Sequence, residues 1–128
     1  MAKISITTAD KWFSKAVRMR DKCCVVCGKT EGLECCHVYG RRQKILRWSL
    51  DNAVTMCHYH HRYYTEQPIE WFYFLETLLG SGHMEMLKEK RRGFLKDNEI
   101  TRKEVSDHYR VQVKEAESDP DYRFISYN

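Results

Sequence analysis

Residues 24–62 read CVVCGKTEGLECCHVYGRRQKILRWSLDNAVTMCHYHHR, and the spacing of their cysteines and histidines decides how the chain is built. Cys24-x2-Cys27 opens the stretch and Cys57-x2-His60 closes it, with 29 residues between Cys27 and Cys57. Each pair forms a knuckle that sets two ligands on one side of a tight turn. Two knuckles together supply the Cys3His tetrahedron of a structural zinc. Gly28 gives the first knuckle the φ freedom it needs. Cys23 offers an alternative to Cys24 in a less common spacing. All six cysteines lie between Cys23 and Cys57, and the last 71 residues have none. Such crowding points to one local site rather than to disulfides spread over a fold. Zinc there would tie the N-terminal segment to the middle of the chain and add directly to folding free energy. That matters for 128 residues, which bury only a modest core.

Working outward, residues 8–20 (TADKWFSKAVRMR) carry an apolar stripe of Trp12, Phe13, Ala16, Val17 and Met19 and predict a helix, with Thr8 or Asp10 as its cap. Leu33–Val38 and Asp51–Met56 predict two short strands, and residues 58–64 a short helix. The arginine-rich stretch 39–48 between the strands reads as a polar loop. Beyond it, Pro68 fits the first position of a helix and Gly80 its C′ position. That helix is apolar around much of its circumference, as a core or interface helix is. A further helical stretch over residues 83–96 is weakened at Gly93. Thr101-Arg-Lys-Glu104 reads as the capping box of a last helix reaching Glu117, and the tail reads as irregular, with aromatics that could dock on the body. The expected class is α+β: a small zinc-stapled core over residues 1–66, preceded by its own helix, and a helical extension over 67–128 packed on it as one structural domain.

Composition excludes some functions and favours others. At 42% hydrophobic and 31% charged, the chain is neither disordered nor rich enough in apolar runs to span a membrane. Its first residues, MAKISITTADKW, lack the apolar core of a secretion signal. These features point to the cytoplasm, where clustered cysteines bind metal. The net charge of +4 is unevenly spread. Residues 1–65 hold 12 Lys and Arg against 5 Asp and Glu, and residues 66–128 hold 10 against 13. A basic half that also carries the metal ligands favours a polyanionic partner such as DNA. Within it, the zinc staple gathers three further polar residues. His37 ends the first strand, Asn52 opens the second, and His61 lies about 100° around its helix from His60. Arg42, with Arg41 and Arg47 beside it, offers guanidinium forks for a phosphate group.

The stretch from Cys24 to Arg62 resembles the HNH endonuclease family, through the pieces C-V-V-C-G, L-E-C-C-H, D-N-A-V-T-M-C and H-H-R. The resemblance implies a ββα-metal fold in which His37 is the general base, Asn52 fixes the loop, and His61 holds a catalytic divalent ion, Mg²⁺ or Mn²⁺. It also implies structural zinc on Cys24, Cys27, Cys57 and His60. Cys36 stands where the family usually has an acidic residue, and a thiolate is a soft, poor ligand for Mg²⁺. Either Cys36 meets a softer metal, or the ion rests mainly on His61, the DNA phosphate and water. A narrower resemblance runs through A-D-K-W-F-S-K-A-V-R-M-R-D, C-H-V-Y-G-R-R, R-W-S-L-D-N and H-Y-R-V-Q-V-K to phage recombination nucleases of the NinG/Rap kind. It implies a phage-derived enzyme acting on branched DNA of the Holliday-junction type, for which a homodimer would suit paired cuts. Tyr59, Tyr63 and Tyr64 would either stack on unpaired bases there or pack against the next helix. The rival expectation is a non-catalytic zinc-containing DNA-binding module, which explains the cysteines and the basic half but gives His37 and His61 no task.

Overall fold

The computed structural model describes residues 4–128. Residues 1–3, which begin the segment read as lacking a secretion signal, lie outside the described residues. In chain order the elements are α1 (Thr8–Asp21), β1 (Leu33–His37), α2 (Lys44–Arg47), a 3-10 turn (Leu50–Asn52), β2 (Ala53–Cys57), α3 (His58–Thr65), α4 (Pro68–Leu79), α5 (Ser81–Lys90) and α6 (Glu99–Ala116). The fold is α+β.

The sheet is a single antiparallel pair, in register from Leu33 opposite Cys57 to His37 opposite Ala53. Because side chains alternate along a strand, β1 divides its residues between two sides. Cys35 and His37 turn toward α1, where Cys35 packs on the main core and the His37 ring stacks on Phe13 at 5.6 Å. Cys36 turns the other way, into a smaller core with Cys24, Val54, Met56 and Cys57. Aromatic rings from α3 and α4 close that second core, with Tyr64 lying 5.5 Å from Trp71 and 5.1 Å from Phe74.

α1 begins at Thr8 as predicted, but its cap is Thr7, one residue earlier than expected. Thr7 and Asp10 form a reciprocal capping box, with the Asp10 carboxylate accepting from the Thr7 N–H at 2.8 Å. α1 then packs along α6, so Phe13 and Val17 share one core with Val105, Tyr109 and Val113. The helical extension thus closes the core that the first half begins. α6 itself starts two residues before the predicted capping box. Asn98 caps it instead, accepting from the Thr101 N–H at 2.9 Å. The tail docks as expected: Phe124 and Tyr127 pack on the main core, and Ser126 Oγ accepts from the Leu50 N–H at 3.0 Å.

One expectation fails. The stretch read as a polar loop ends in the heart of the molecule, where Leu46, Arg47, Trp48, Ser49 and Leu50 are all buried. Trp48 explains the difference. Its ring fills the main core, its indole N–H donates to Asp10 at 3.0 Å, and its carbonyl accepts from Tyr109. α4 buries only Leu75 and leaves Ile69, Phe72, Tyr73 and Leu78 exposed, so of the two readings of this apolar helix it is not a core helix of this chain. No helix among the described residues is long and apolar enough to cross a membrane.

Candidate metal centre and active-site cleft

The first knuckle, the end of β2 and the first turn of α3 meet at one point. Gly28, at φ +77°, completes the knuckle turn and returns its N–H to the Cys24 carbonyl at 2.9 Å. The ligand atoms of Cys24, Cys27, Cys57 and His60 all lie within 4.8 Å of one another. Cys27 Sγ is 3.9 Å from Cys57 Sγ, and His60 Nδ1 is 3.3 Å from Cys57 Sγ and 3.9 Å from Cys24 Sγ. A tetrahedral zinc with its usual bond lengths sets sulfur atoms about 3.8 Å apart and sulfur and nitrogen about 3.5 Å apart. The four side chains therefore fit structural zinc. Cys24, not Cys23, is the member of the cluster. Burial raises the Cys24 thiol, but N–H groups of Cys57, Cys27 and Val26 outweigh it and bring the group down to about 6. A thiol so poised offers the metal a thiolate at neutral pH.

One residue beyond His60, the same helix presents His61 to a different environment. Its Nδ1–H donates to Glu34 Oε1 at 2.7 Å. Glu34 Oε2 accepts from His58 Nδ1 at 2.9 Å. Burial raises the Glu34 carboxyl, but the hydrogen bonds from His58 and His61 and their charge hold it below its ordinary value. A carboxylate can only accept, so it fixes the proton of His61 on Nδ1 and leaves Nε2 with a free lone pair. Glu34 was not among the residues singled out from the sequence. The available signal was the period-2 alternation of Leu33–His37, which sets Glu34 two residues before Cys36 on the side that faces α3.

His37 is held by the connection between the strands. Its Nε2–H donates to the Arg47 carbonyl at 3.0 Å, so Nδ1 is the acceptor nitrogen of the neutral ring. Burial pushes its pKa below the ordinary histidine value, with the guanidinium groups of Arg41 and Arg47 acting in the same direction. The Arg47 carbonyl and Asp10 oppose the shift without cancelling it. Asn52 is fully buried and ties the two ends of this connection together. Its Oδ1 accepts from the Tyr39 N–H at 2.9 Å, and its Nδ2 donates to the carbonyls of Tyr39 and Leu46 at 2.8 and 3.1 Å.

His37, His61 and Arg41 line one open cavity of about 650 Å³, together with Cys35. Cys36 lines a smaller cavity of about 150 Å³, shared with His37 and His61. Burial, and then the neighbouring Cys35 and Glu34, push the Cys36 thiol far up, so it is neutral at physiological pH. A neutral thiol is a weak metal ligand.

The three arginines expected at a phosphate separate. Arg41 lines the large cavity, and its Nη1 is buried without a hydrogen-bond partner, 4.0 Å from Asp10. Arg42 is exposed and does not line that cavity. Arg47 cannot serve as a phosphate clamp. It is 3% exposed, and its guanidinium is used up on Asp10 at 2.6 and 3.0 Å, Asp97 at 3.2 Å and the Ser5 carbonyl at 2.9 Å. Its role is to hold the connection whose carbonyl orients His37. Of the three tyrosines, Tyr64 is packed, Tyr63 donates to Glu70, and Tyr59 is exposed.

No family model, curated protein or solved structure matches the chain.

Proposed function

We propose that the protein is a metal-dependent DNA endonuclease of the HNH type, stapled by structural zinc and acting on branched DNA. The observation that carries this reading is the shared cavity. His37, engaged through Nε2 by the Arg47 carbonyl, and His61, engaged through Nδ1 by Glu34, line one cavity with Lys11, Arg18 and Arg41, while a separate Cys3His cluster holds the scaffold.

Hydrolysis of a phosphodiester forms one P–O bond to water and breaks the P–O bond to the 3′ oxygen. His37 Nδ1 accepts the proton of the attacking water, and a base kept neutral by burial is ready for that at physiological pH. The Arg47 carbonyl holds the neutral ring in the accepting tautomer before the transfer and still accepts from Nε2–H once Nδ1 carries the proton. Arg41 offers guanidinium N–H groups to a non-bridging phosphate oxygen. A divalent ion on His61 Nε2, with phosphate and water completing its shell, would stabilise the leaving oxygen and the charge on phosphorus. Glu34 holds His61 in place for it, and Asn52 holds the connection that carries Arg41.

The test is cleavage of a synthetic four-way junction and a matched linear duplex with added Mg²⁺ or Mn²⁺. Metal-dependent cutting of the junction in preference to the duplex supports the full reading. Equal cutting of both supports a nuclease and removes the branched-DNA specificity. Binding without cutting under either metal assigns the chain to the non-catalytic zinc-containing DNA-binding modules. Two copies would be needed for simultaneous cuts across a junction, and light scattering of the protein with and without junction tests that part.

A further inference from the structure

The cations of this chain fall into two groups. At least seven of the eleven arginines have a carboxylate within 4.0 Å, among them Arg20 with Asp21, Arg47 with Asp10 and Asp97, Arg102 with Asp97, and Arg110 with Asp107. Lys11 and Arg18 of α1 have no carboxylate within 4.0 Å among the described residues, and both line the large cavity with His37 and His61. Arg18 is nonetheless ordered. Its Nε–H is shared between Ser14 O and Ser14 Oγ, each at 3.2 Å, and Ser14 also lines the cavity. That anchor fixes one edge of the guanidinium and leaves its two terminal nitrogens for another acceptor.

Lys11, Ser14 and Arg18 fall within an arc of about 60° on the helix, and Lys11 and Arg18 are about 10 Å apart along its axis. With the reach of both side chains added, this separation lets Lys11 and Arg18 touch different phosphates of one DNA strand. Arg41 and His61 line the same cavity from other elements, the connection after β1 and α3. The one acid in the cavity, Asp10, is already satisfied by Arg47, Trp48 and Thr7, so it presents little free charge to an anion. Lys15, one residue beyond Ser14, does not line the cavity, and its ammonium sits over the Trp12 ring at 6.0 Å.

We infer that the Lys11–Ser14–Arg18 face of α1 is a backbone track, which holds the DNA strand by phosphates on either side of the one presented to His37. The inference rests on the nuclease reading for its orientation and names α1 as the element that places the strand. A helix outside the strand–strand–helix segment would then contribute the contacts that set register, while Arg41, His37 and His61 address the reacting group.

The experiment measures binding of a fluorescent 30-base-pair duplex to the zinc-loaded full chain without added divalent ion, over a range of salt. Lys11→Ala and Arg18→Ala should each weaken binding on the order of tenfold and reduce the slope of log K against log salt by about 0.9, while Lys15→Ala leaves the slope near that of wild type. Arg18→Lys should recover most of the slope and Arg18→Gln should not, which covers the case in which Arg18→Ala disturbs α1. Unchanged slopes in Lys11→Ala and Arg18→Gln proteins that melt like wild type would overturn the track, even if the enzyme cuts DNA. Conversely, a wild type that binds with these losses but never cuts refutes the nuclease and leaves the track standing.

Discussion

Arg47→Met is the perturbation with the largest stability effect that the geometry allows to be worked out. The guanidinium is buried between Asp10 and Asp97, with four hydrogen bonds between 2.6 and 3.2 Å. Removing one member of a buried ion pair costs about 3–5 kcal/mol, because the remaining charge is left unpaired. Asp97 keeps Arg102 at 2.6 Å and Lys44 at 3.9 Å, so its charge stays compensated. Asp10 keeps only the neutral donors of Trp48 and Thr7 at hydrogen-bond distance, with Arg41 4.0 Å away. The loss should therefore lie at the lower end, at about 3 kcal/mol. For 128 residues the entropy of unfolding is about 0.27 kcal/mol/K, which turns that loss into a fall in Tm of about 11 °C. Thermal melting of zinc-saturated protein, followed by circular dichroism, gives the number. Adding Asp10→Asn removes the unpaired charge and should raise Tm again relative to the single variant. A single variant within about 3 °C of wild type, or a double variant no more stable than the single, refutes the reasoning.

Other perturbations separate the parts of the site. Cys27→Ser should lose the bound zinc and the cooperative melt, while Cys23→Ser keeps one zinc per chain, as read by a metallochromic dye after denaturation. Glu34→Gln should weaken Mn²⁺ binding about 10–100-fold while the zinc stays bound, because His61 loses the carboxylate that fixes its tautomer; calorimetric Mn²⁺ titration measures it, and unchanged affinity contradicts the role of Glu34. The acid limb of the cleavage rate should fall below pH 6.5, since burial depresses the His37 pKa and the neutral ring is the active form. The same shift makes stability fall with acid. The unfolded state binds more protons than the native one in the window between the depressed native pKa and the unfolded value of about 6.5, so stability is lost as pH drops through it. A limb at or above the ordinary histidine value contradicts the assignment.

The metal cluster was legible because ligand spacing is local: two x2 knuckles fix their own turns, and only their meeting needed the fold. The order of strands and helices followed from alternation, from Pro68 and Gly80, and from the apolar stripe of α1. The stretch around Arg47 was not legible. A run of Arg and Lys looks solvated in one dimension, and its burial depends on Asp10 and Asp97, 37 and 50 residues away. The same long reach hid the cavity wall, since Lys11 and Arg18 read as the polar side of an amphipathic helix until the sheet and His61 came to lie beside them. Glu34 was obscured by the two cysteines that follow it, whose metal-binding chemistry is the more familiar, and its partners His58 and His61 lie 24 and 27 residues away.

The central claim is that His37 is a base aimed at a phosphodiester. It is tested most directly by His37→Ala protein, shown by melting and zinc content to be folded, assayed with Mg²⁺ or Mn²⁺ on the junction that wild type cuts. Cleavage reduced at least about 100-fold, with junction affinity unchanged, is the predicted result. Cleavage at the wild-type rate by that folded, zinc-loaded variant would contradict the account.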